Sequence, residues 1–310
     1  MQDARTNPGF LHLHELRGGG EWLHMCIRHK ETGDFLMNVA MLDDLIVDAM
    51  IEDDTRSRIR VRDDGIMVLL KAMHVRGEDM AQPEDMVSMR IWIDADRVIT
   101  TREADVDPVM VIAKRLSGDG GPVTPGDFLA DLVDEHLDEV AAHIEQLEDV
   151  VDRIDGQIIR HQTGMACTDM ADTQTRISGF LRHLGPQRPV LERLAGCGHA
   201  LISERNRARL DDGLNQLLRL LETLQSLRER IDILNDQITR IQDRQLNRSS
   251  YAFAVAAAIF LPLGFITGLF GVNLAGIPQA DSPLAFAVLC ATCIVLAGGL
   301  LAVFRWRNWL

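Results

Sequence analysis

Two long apolar runs close the chain, one over residues 251–270 and one over residues 284–304. Neither run contains a charged residue. A helix of about 20 apolar residues crosses the roughly 30 Å hydrocarbon core of a bilayer. The pattern therefore predicts two membrane-spanning helices joined by a short polar loop.

In the N-terminal part of the chain, the spacing of apolar residues is typical of a domain that contains both strands and helices. Six short stretches, several of which alternate apolar and polar residues, predict strands at 9–16, 22–27, 58–62, 66–72, 88–93 and 97–101. Helical spacing predicts one helix over 35–52 and another over 107–116. A stretch rich in Gly and Pro at 118–125 then ends the domain. We therefore expect an α+β domain over residues 1–125.

Helical periodicity takes over after this break. It predicts an acidic helix over 126–159, helices over 169–184 and 190–194, and a long helix that begins near 201. In the long helix, Leu and Ile recur at spacings of 4 and 3 from Leu210 to Ile241, as in a helix that packs along its whole length. We predict that this helix continues into the first apolar run. The predicted divisions are acidic helices at 126–200, a stalk helix at 201–250, spans at 251–273 and 284–304, a loop at 274–283 and a basic tail at 305–310.

Arginines lie before the first apolar run and after the second. Arg240, Arg244 and Arg248 precede the first run, and Arg305 and Arg307 follow the second. The loop between the runs has no Lys or Arg. Positive residues stay on the cytoplasmic side of a membrane. We therefore expect both termini in the cytoplasm, the loop outside and, in a bacterium, a location in the inner membrane.

Composition narrows the class of function. The net charge of −14 excludes a nucleic-acid partner, since binding a phosphate backbone needs a basic surface, and it fits a surface that gathers cations. The five cysteines are scattered, as in a protein with reduced thiols. No phosphate-cradling loop, nucleophile–base motif or metal-hydrolase motif is present, so we expect neither an enzyme nor a bound cofactor.

The first apolar run ends in Gly271-Val272-Asn273, which has two interpretations. Gly and Asn are the residues that tolerate the left-handed geometry of a helix C-terminus and turn. Alternatively, backbone carbonyls and an amide oxygen at the mouth of a pore are the groups from which ion filters are built. The tripeptide alone is compatible with both.

The surroundings of this tripeptide resemble a known family. Gly271-Val272-Asn273 follows Phe260-Leu261-Pro262-Leu263 and precedes a short loop and a second span, as in the CorA superfamily of divalent-cation transporters. Most members have Gly-Met-Asn there, and the Gly-Val-Asn form is similar to the ZntB-type zinc transporter branch. The likeness extends to residues 54–58, to residues 186–195 and to the basic, Trp-containing C-terminus.

The resemblance implies a funnel-shaped homopentamer that carries Zn²⁺ across the membrane. The α+β cytoplasmic domain and long helices would form the funnel, the first span would line the pore, and the second would face lipid. Gly271, Val272 and Asn273 would form the selectivity filter. The matched pore-lining positions are Asn247, Ser250, Ala254, Ala257, Leu261 and Gly264.

The choice of cation and the driving force stay open at this point. Val272 replaces the Met of the magnesium branch, which favours zinc over magnesium, cobalt or nickel. The branch is thought to couple zinc uptake to protons, yet Asp281 is the only Asp, Glu, His, Lys or Arg between residues 251 and 304. Coupling protons would therefore move through pore water or act on the cytoplasmic domain. A third alternative is a non-conducting, membrane-anchored coiled-coil scaffold or sensor.

Three other features are candidate cation sites. Asp281 in the outer loop would attract cations. His161, Cys167, Cys197 and His199 have ligand types that suit zinc, although their spacing matches no closed four-ligand motif. The acidic helix at 126–159 is a solvated face in an isolated chain, and five copies around a pore entrance would form a cation-attracting wall.

Overall fold

A computed structural model describes residues 10–53, 55–74, 86–103, 105–118, 120–160, 162–271 and 283–307. The chain divides into two compact units, Met1–Asn235 and Asp236–Leu310. The first unit contains a six-stranded sheet and most of the helices. The strands are β1 (Phe10–Glu15), β2 (Glu21–Cys26), β3 (Arg58–Val61), β4 (Ile66–Ala72), β5 (Val87–Ile93) and β6 (Arg97–Arg102). All six predicted strands are confirmed.

The sheet has the order β1-β2-β6-β5-β4-β3, with only β2 and β6 parallel among these neighbours. Every residue of β4 is buried, as expected of a strand covered on both faces. A tight turn before Gly65 joins β3 to β4, and the Arg62 amide donates to the Gly65 carbonyl at 2.9 Å. A Cβ at Gly65 would lie 2.4 Å from the Trp92 ring, so the turn requires glycine.

The prediction of a single helix over 35–52 was wrong. Two helices occupy this region, α1 (Glu31–Asn38) and α2 (Asp44–Ile51). Met41 between them has a φ of 56°, which an α-helix does not allow. Asp43 then caps α2, and its carboxylate accepts from the Leu45 amide at 3.0 Å. The apolar side chains still pack on one face of the sheet, around Leu36, Ile46, Met50 and Trp92.

The other face of the sheet is covered by α4, the predicted acidic helix. After α3 (Asp107–Leu116), α4 (Pro125–Ile159) begins with a capping box between Thr124 and Asp127. Phe128 of α4 lies against Trp22 of β2, with ring centroids 4.9 Å apart. Buried residues then recur every three or four positions along α4, at Val133, Leu137, Val140, Ile144, Leu147, Val151, Ile154 and Ile158.

Four further helices complete the described chain. They are α5 (Thr163–Leu184), α6 (Arg188–Ala195), α7 (Glu204–Gly271) and α8 (Pro283–Trp306). A short 3-10 turn, Gly185–Gln187, connects α5 to α6. One unbroken helix therefore extends from near residue 201 to the end of the first apolar run, as predicted.

Candidate cation pathway

The predicted pore residues share one side of α7 within the second unit. From Asn247 to Gly264 they follow one another at spacings of three and four, and Gly271 follows two turns later. At about 100° per residue, this set occupies an arc of about 120°. All of them are exposed or half-buried in the single chain. We call this surface the pore face. It consists of Asn247, Ser250, Ala254, Ala257, Leu261, Gly264 and Gly271.

Most side chains of the pore face are small, and none of them is charged. Its largest side chain, Leu261, is 72% exposed. A Cβ added at Gly264 or Gly271 would meet no atom within 4 Å. Among the described residues nothing lies against these two glycines, so the face is available to line a lumen.

Polar groups on this part of α7 come from the backbone and from hydroxyls. Pro262 lies inside the helix and has no amide hydrogen, so it cannot donate to the Ala258 carbonyl one turn earlier. The Thr267 hydroxyl donates to the Leu263 carbonyl at 2.9 Å. Oxygen ligands of this kind suit a hydrated cation without requiring a buried charge.

The outer end of the pathway is only partly described. Gly271 is the last residue of α7. Val272, Asn273 and Asp281 lie outside the described residues. The filter and the cation-attracting loop therefore stay predictions.

The described candidate metal ligands differ in exposure and in hydrogen bonding. Cys197 is buried and Cys167 is half-buried. The His199 Nδ1 accepts from the Leu201 amide at 3.2 Å, so its Nε2 carries the hydrogen and faces the Asp63 carbonyl at 3.3 Å. His161 lies outside the described residues. Within the described ranges no three His, Cys, Asp or Glu side chains form a metal-sized cluster, and this site also stays a prediction.

Arginines of α7 pair with several carboxylates of the acidic helix α4. Arg209 contacts Asp131 and Asp134, each at 2.6 Å. Arg230 contacts Asp152 at 2.6 Å and Asp155 at 3.5 Å. These pairs reduce the negative charge that the sequence assigns to α4. Exposed acids that remain on this helix include Glu145, Glu148 and Asp149.

A common register explains these pairs and was missed in the sequence. Arg209–Asp131 and Gln216–Asp138 are each 78 residues apart, and Arg230–Asp152 keeps the same separation. A constant separation means that α4 and α7 run parallel through this part of the first unit. The signal was present as matching heptad spacing, with acids at 131, 138 and 152 and their partners at 209, 216 and 230.

An acidic groove lies between α4 and α7 in the first unit. Its volume is about 690 Å³. Asp134, Asp138, Asp212 and Glu222 contribute carboxylates to its lining, against Arg209 and Arg219. Burial raises the pKa of Asp134, and the hydrogen bond from Arg209 opposes that effect. The groove is therefore a polar surface with an excess of carboxylates.

Glu139 of α4 is half-buried beside Asp107, in the first turn of α3. Burial raises the pKa of Glu139 to about 8, with further contributions from the charge of Asp107 and a hydrogen bond with its carboxyl. Glu139 therefore holds a proton at neutral pH and does not contribute to the negative charge of α4.

The sequence from residue 18 to residue 306 matches the family described as CorA-like Mg2+ transporter protein. The chain belongs to this family. The match spans strands β2 to β6, the long helices and both apolar helices, which agrees with the resemblance seen in the sequence.

Relatives and solved structures of the CorA family agree with this assignment. The chain is 31% identical over 301 residues to the zinc transport protein ZntB of Klebsiella pneumoniae, covering 93% of this chain and 88% of that protein. The structure of full-length CmaX is similar with a TM-score of 0.82, 27% identity and coverage of 99% and 100%. The CorA magnesium transporter of Methanocaldococcus jannaschii has the same fold, with a TM-score of 0.80, 17% identity and coverage of 94% and 92%.

The family and the helices together establish a membrane protein. CorA-like proteins are transporters. Two helices of this chain contain segments long and apolar enough to cross a membrane, within Glu204–Gly271 and Phe286–Trp306. The second apolar run is therefore a helix of the length that a span needs, as the hydrophobic pattern predicted.

Proposed function

We propose that this CorA-family chain transports zinc ions across a bacterial inner membrane, with both termini in the cytoplasm. The observation that carries the proposal is the uncharged, accessible pore face on α7 in a chain that is 31% identical to a zinc transport protein. The arginines before α7 enters its apolar segment and after α8 support the orientation.

The proposed assembly is a funnel-shaped homopentamer. A single chain offers one narrow face of small residues, and a closed pore needs that face repeated around an axis. Copies of α7 would bring Ala254, Ala257 and Gly264 towards this axis. The exposed apolar surface of α8, which includes Phe286, Ile294 and Val295, would then contact lipid.

In this mechanism the protein forms no covalent bond with the ion. A hydrated cation is captured at the ring of Gly271, Val272 and Asn273, passes the apolar throat at Leu261 and leaves near Ser250 and Asn247. The acidic groove between α4 and α7 supports a cytoplasmic surface that retains cations. The transported Zn²⁺ is the substrate.

The membrane potential supplies a drive for this route. A divalent ion that moves inward down 100 mV gains about 4.6 kcal/mol, twice the value for a single charge. Proton coupling is an additional proposal. Because residues 251–271 and 283–304 contain no Asp, Glu, His, Lys or Arg, coupled protons would travel in pore water or act at the cytoplasmic unit.

The second candidate is a magnesium, cobalt or nickel transporter of the same family. Two comparisons favour it, because the family is described by Mg2+ transport and the similar CorA protein of Methanocaldococcus jannaschii is a magnesium transporter. Val272, in place of the Met that is usual in the magnesium branch, opposes it. The two candidates share the pore face and differ in the filter.

Uptake by purified protein in liposomes separates these candidates. Initial rates would be measured for zinc, cobalt, nickel and magnesium, with and without a pH gradient, against protein-free liposomes. We expect zinc to enter fastest. Faster magnesium uptake would favour the second candidate, and no uptake of any cation would favour a non-conducting scaffold.

A further inference from the structure

A basic pocket lies on the first unit, and its described lining contains none of the residues assigned to the pathway. It forms where the segment before β3 meets the end of β4 and the last turn of α5. Its volume is about 380 Å³, within the range of small-molecule sites. The lining includes Thr55, Arg56, Ser57, Lys71, Arg182 and His183. Pro186 also lines the pocket, and it belongs to residues 186–195, one of the stretches that resemble the CorA superfamily.

The charge of this pocket is opposite to that of the chain. The protein has a net charge of −14, yet none of the described lining residues is an acid. Arg56 and Arg182 are exposed and pair with no carboxylate in the described part of the chain. Lys71 is only 7% exposed and, like His183, makes further interactions of its own. Several cations therefore share one concave surface.

The end of α5 supplies only part of the positive charge of this pocket. Arg182 and His183 occupy the last turn of α5, where the helix dipole favours positive side chains. Arg56 and Lys71 come from the opposite wall, in the segment before β3 and in β4. A negative group between the walls would relieve the repulsion between Arg56 and Arg182.

Hydrogen bonds hold both walls in place. The Thr55 hydroxyl donates to the Ser88 hydroxyl at 3.1 Å. On the other side, the Gln187 amide donates to the Lys71 carbonyl at 2.9 Å, and its oxygen lies 2.9 Å from the His136 Nε2. Burial lowers the pKa of His136 to about 4, so the ring is neutral and donates this bond. A pocket with fixed walls loses little entropy when a ligand binds.

Ser57 adds a hydroxyl that lacks a partner. Its Oγ is buried and has no hydrogen bond within the described ranges. A buried hydroxyl without a partner costs free energy. An oxyanion would accept a hydrogen bond from the Ser57 hydroxyl. It would also place a negative charge beside Arg56 and Arg182.

We propose that this pocket binds the phosphate group of a small molecule, held by Arg56, Arg182 and Lys71 with the hydroxyl of Ser57. Guanidinium groups match the geometry of phosphate oxygens and bind them in a bidentate manner. The bound phosphate group would belong either to free inorganic phosphate or to the phosphate chain of a nucleotide. None of these residues belongs to the pore face, so the inference does not depend on transport.

Binding to the full-length protein in detergent tests this proposal. Isothermal titration calorimetry would measure inorganic phosphate, ATP and adenosine, with EDTA present so that bound metal does not carry the nucleotide. The variants are Arg56→Gln and Arg182→Gln, and the control is Arg205→Gln, which removes an exposed arginine of α7. Thermal unfolding without ligand would verify that all three variants fold.

We expect the native protein to bind phosphate or ATP, and each pocket variant to bind at least about tenfold more weakly. Arg205→Gln should bind as the native protein does, and adenosine should not bind. Equal affinity for phosphate and ATP would identify free phosphate as the source, and much tighter ATP binding would identify a nucleotide. No binding by the native protein, or equal binding by all variants, would overturn the proposal.

Discussion

Single residues decide how the surface of α4 responds to pH. Glu139 is protonated in the folded protein at neutral pH because it is half-buried beside Asp107. In the unfolded chain the same carboxyl has an ordinary pKa near 4.5. Folding therefore retains a proton that the unfolded chain releases, and this group opposes folding increasingly as pH rises from about 4.5 to about 8.

Glu139→Gln should remove this pH dependence, because an amide has no proton to lose. Near pH 5 the variant and the native protein should unfold at similar temperatures. Between pH 5 and pH 8 the variant should gain relative stability, by at most about 1.4 kcal/mol per pH unit. Thermal unfolding of the full chain in detergent over this range would measure the difference.

Glu145→Gln is the matched control, since Glu145 is exposed on the same helix. Its unfolding temperature should follow the native pH profile. Parallel profiles for Glu139→Gln and the native protein would contradict the protonated state of Glu139.

The sequence could not predict this protonation. Glu139 counts as one more acid of α4, and the residue that changes its pKa, Asp107, is brought close only when α3 packs on α4. Met41 is a similar case. The apolar spacing of residues 35–52 is helical throughout, and the interruption depends on one left-handed residue in the folded chain.

Of the helices and strands, α7 is the one on which the proposed zinc transport depends, because it contains the pore face. Gly264 lies on the pore face, and a Cβ there would meet no atom of the same chain within 4 Å. Gly264→Leu should therefore leave the single chain folded. In the proposed pentamer, five leucine side chains would fill the throat next to Leu261. Zinc uptake into liposomes should fall to the rate of protein-free liposomes.

Gly299→Leu on α8 provides the control for this change. A Cβ at Gly299 also meets nothing within 4 Å, and α8 is the proposed lipid-facing helix. Its zinc uptake should match that of the native protein. If Gly264→Leu transports as well as Gly299→Leu, residue 264 does not line the route of the ion.

The elements themselves were largely predictable. Periods of two and of three to four residues identified most of the strands, the acidic helix and the long α7, because an element that buries one face repeats its apolar residues at its own period. Strand β4 is an exception, since all of its residues are buried. The parallel register of α4 and α7 was missed, although heptad spacing of acids and arginines encoded it. Residues of the filter were assigned only by family resemblance, since one tripeptide suits a helix end as well as a pore.

The whole molecule contains a charged first unit and a second unit whose described apolar helices carry no charge within their spans. The first unit has an acidic groove between α4 and α7, whereas the described spans offer a cation backbone and hydroxyl oxygens and the thiols of Cys290 and Cys293. Selection of the ion must then depend on shape and neutral ligands, and not on a carboxylate within the membrane. Membership in the CorA family makes transport the function that explains both parts.

Zinc uptake by liposomes that contain the native chain, Asn273→Ala or Gln279→Ala tests this account most directly. Gln279 is the control, because it is another amide of the same outer loop region. We predict uptake by the native chain and by Gln279→Ala, and a strong loss in Asn273→Ala. Absence of zinc uptake by the native chain, or uptake that is unchanged in Asn273→Ala, would contradict the account.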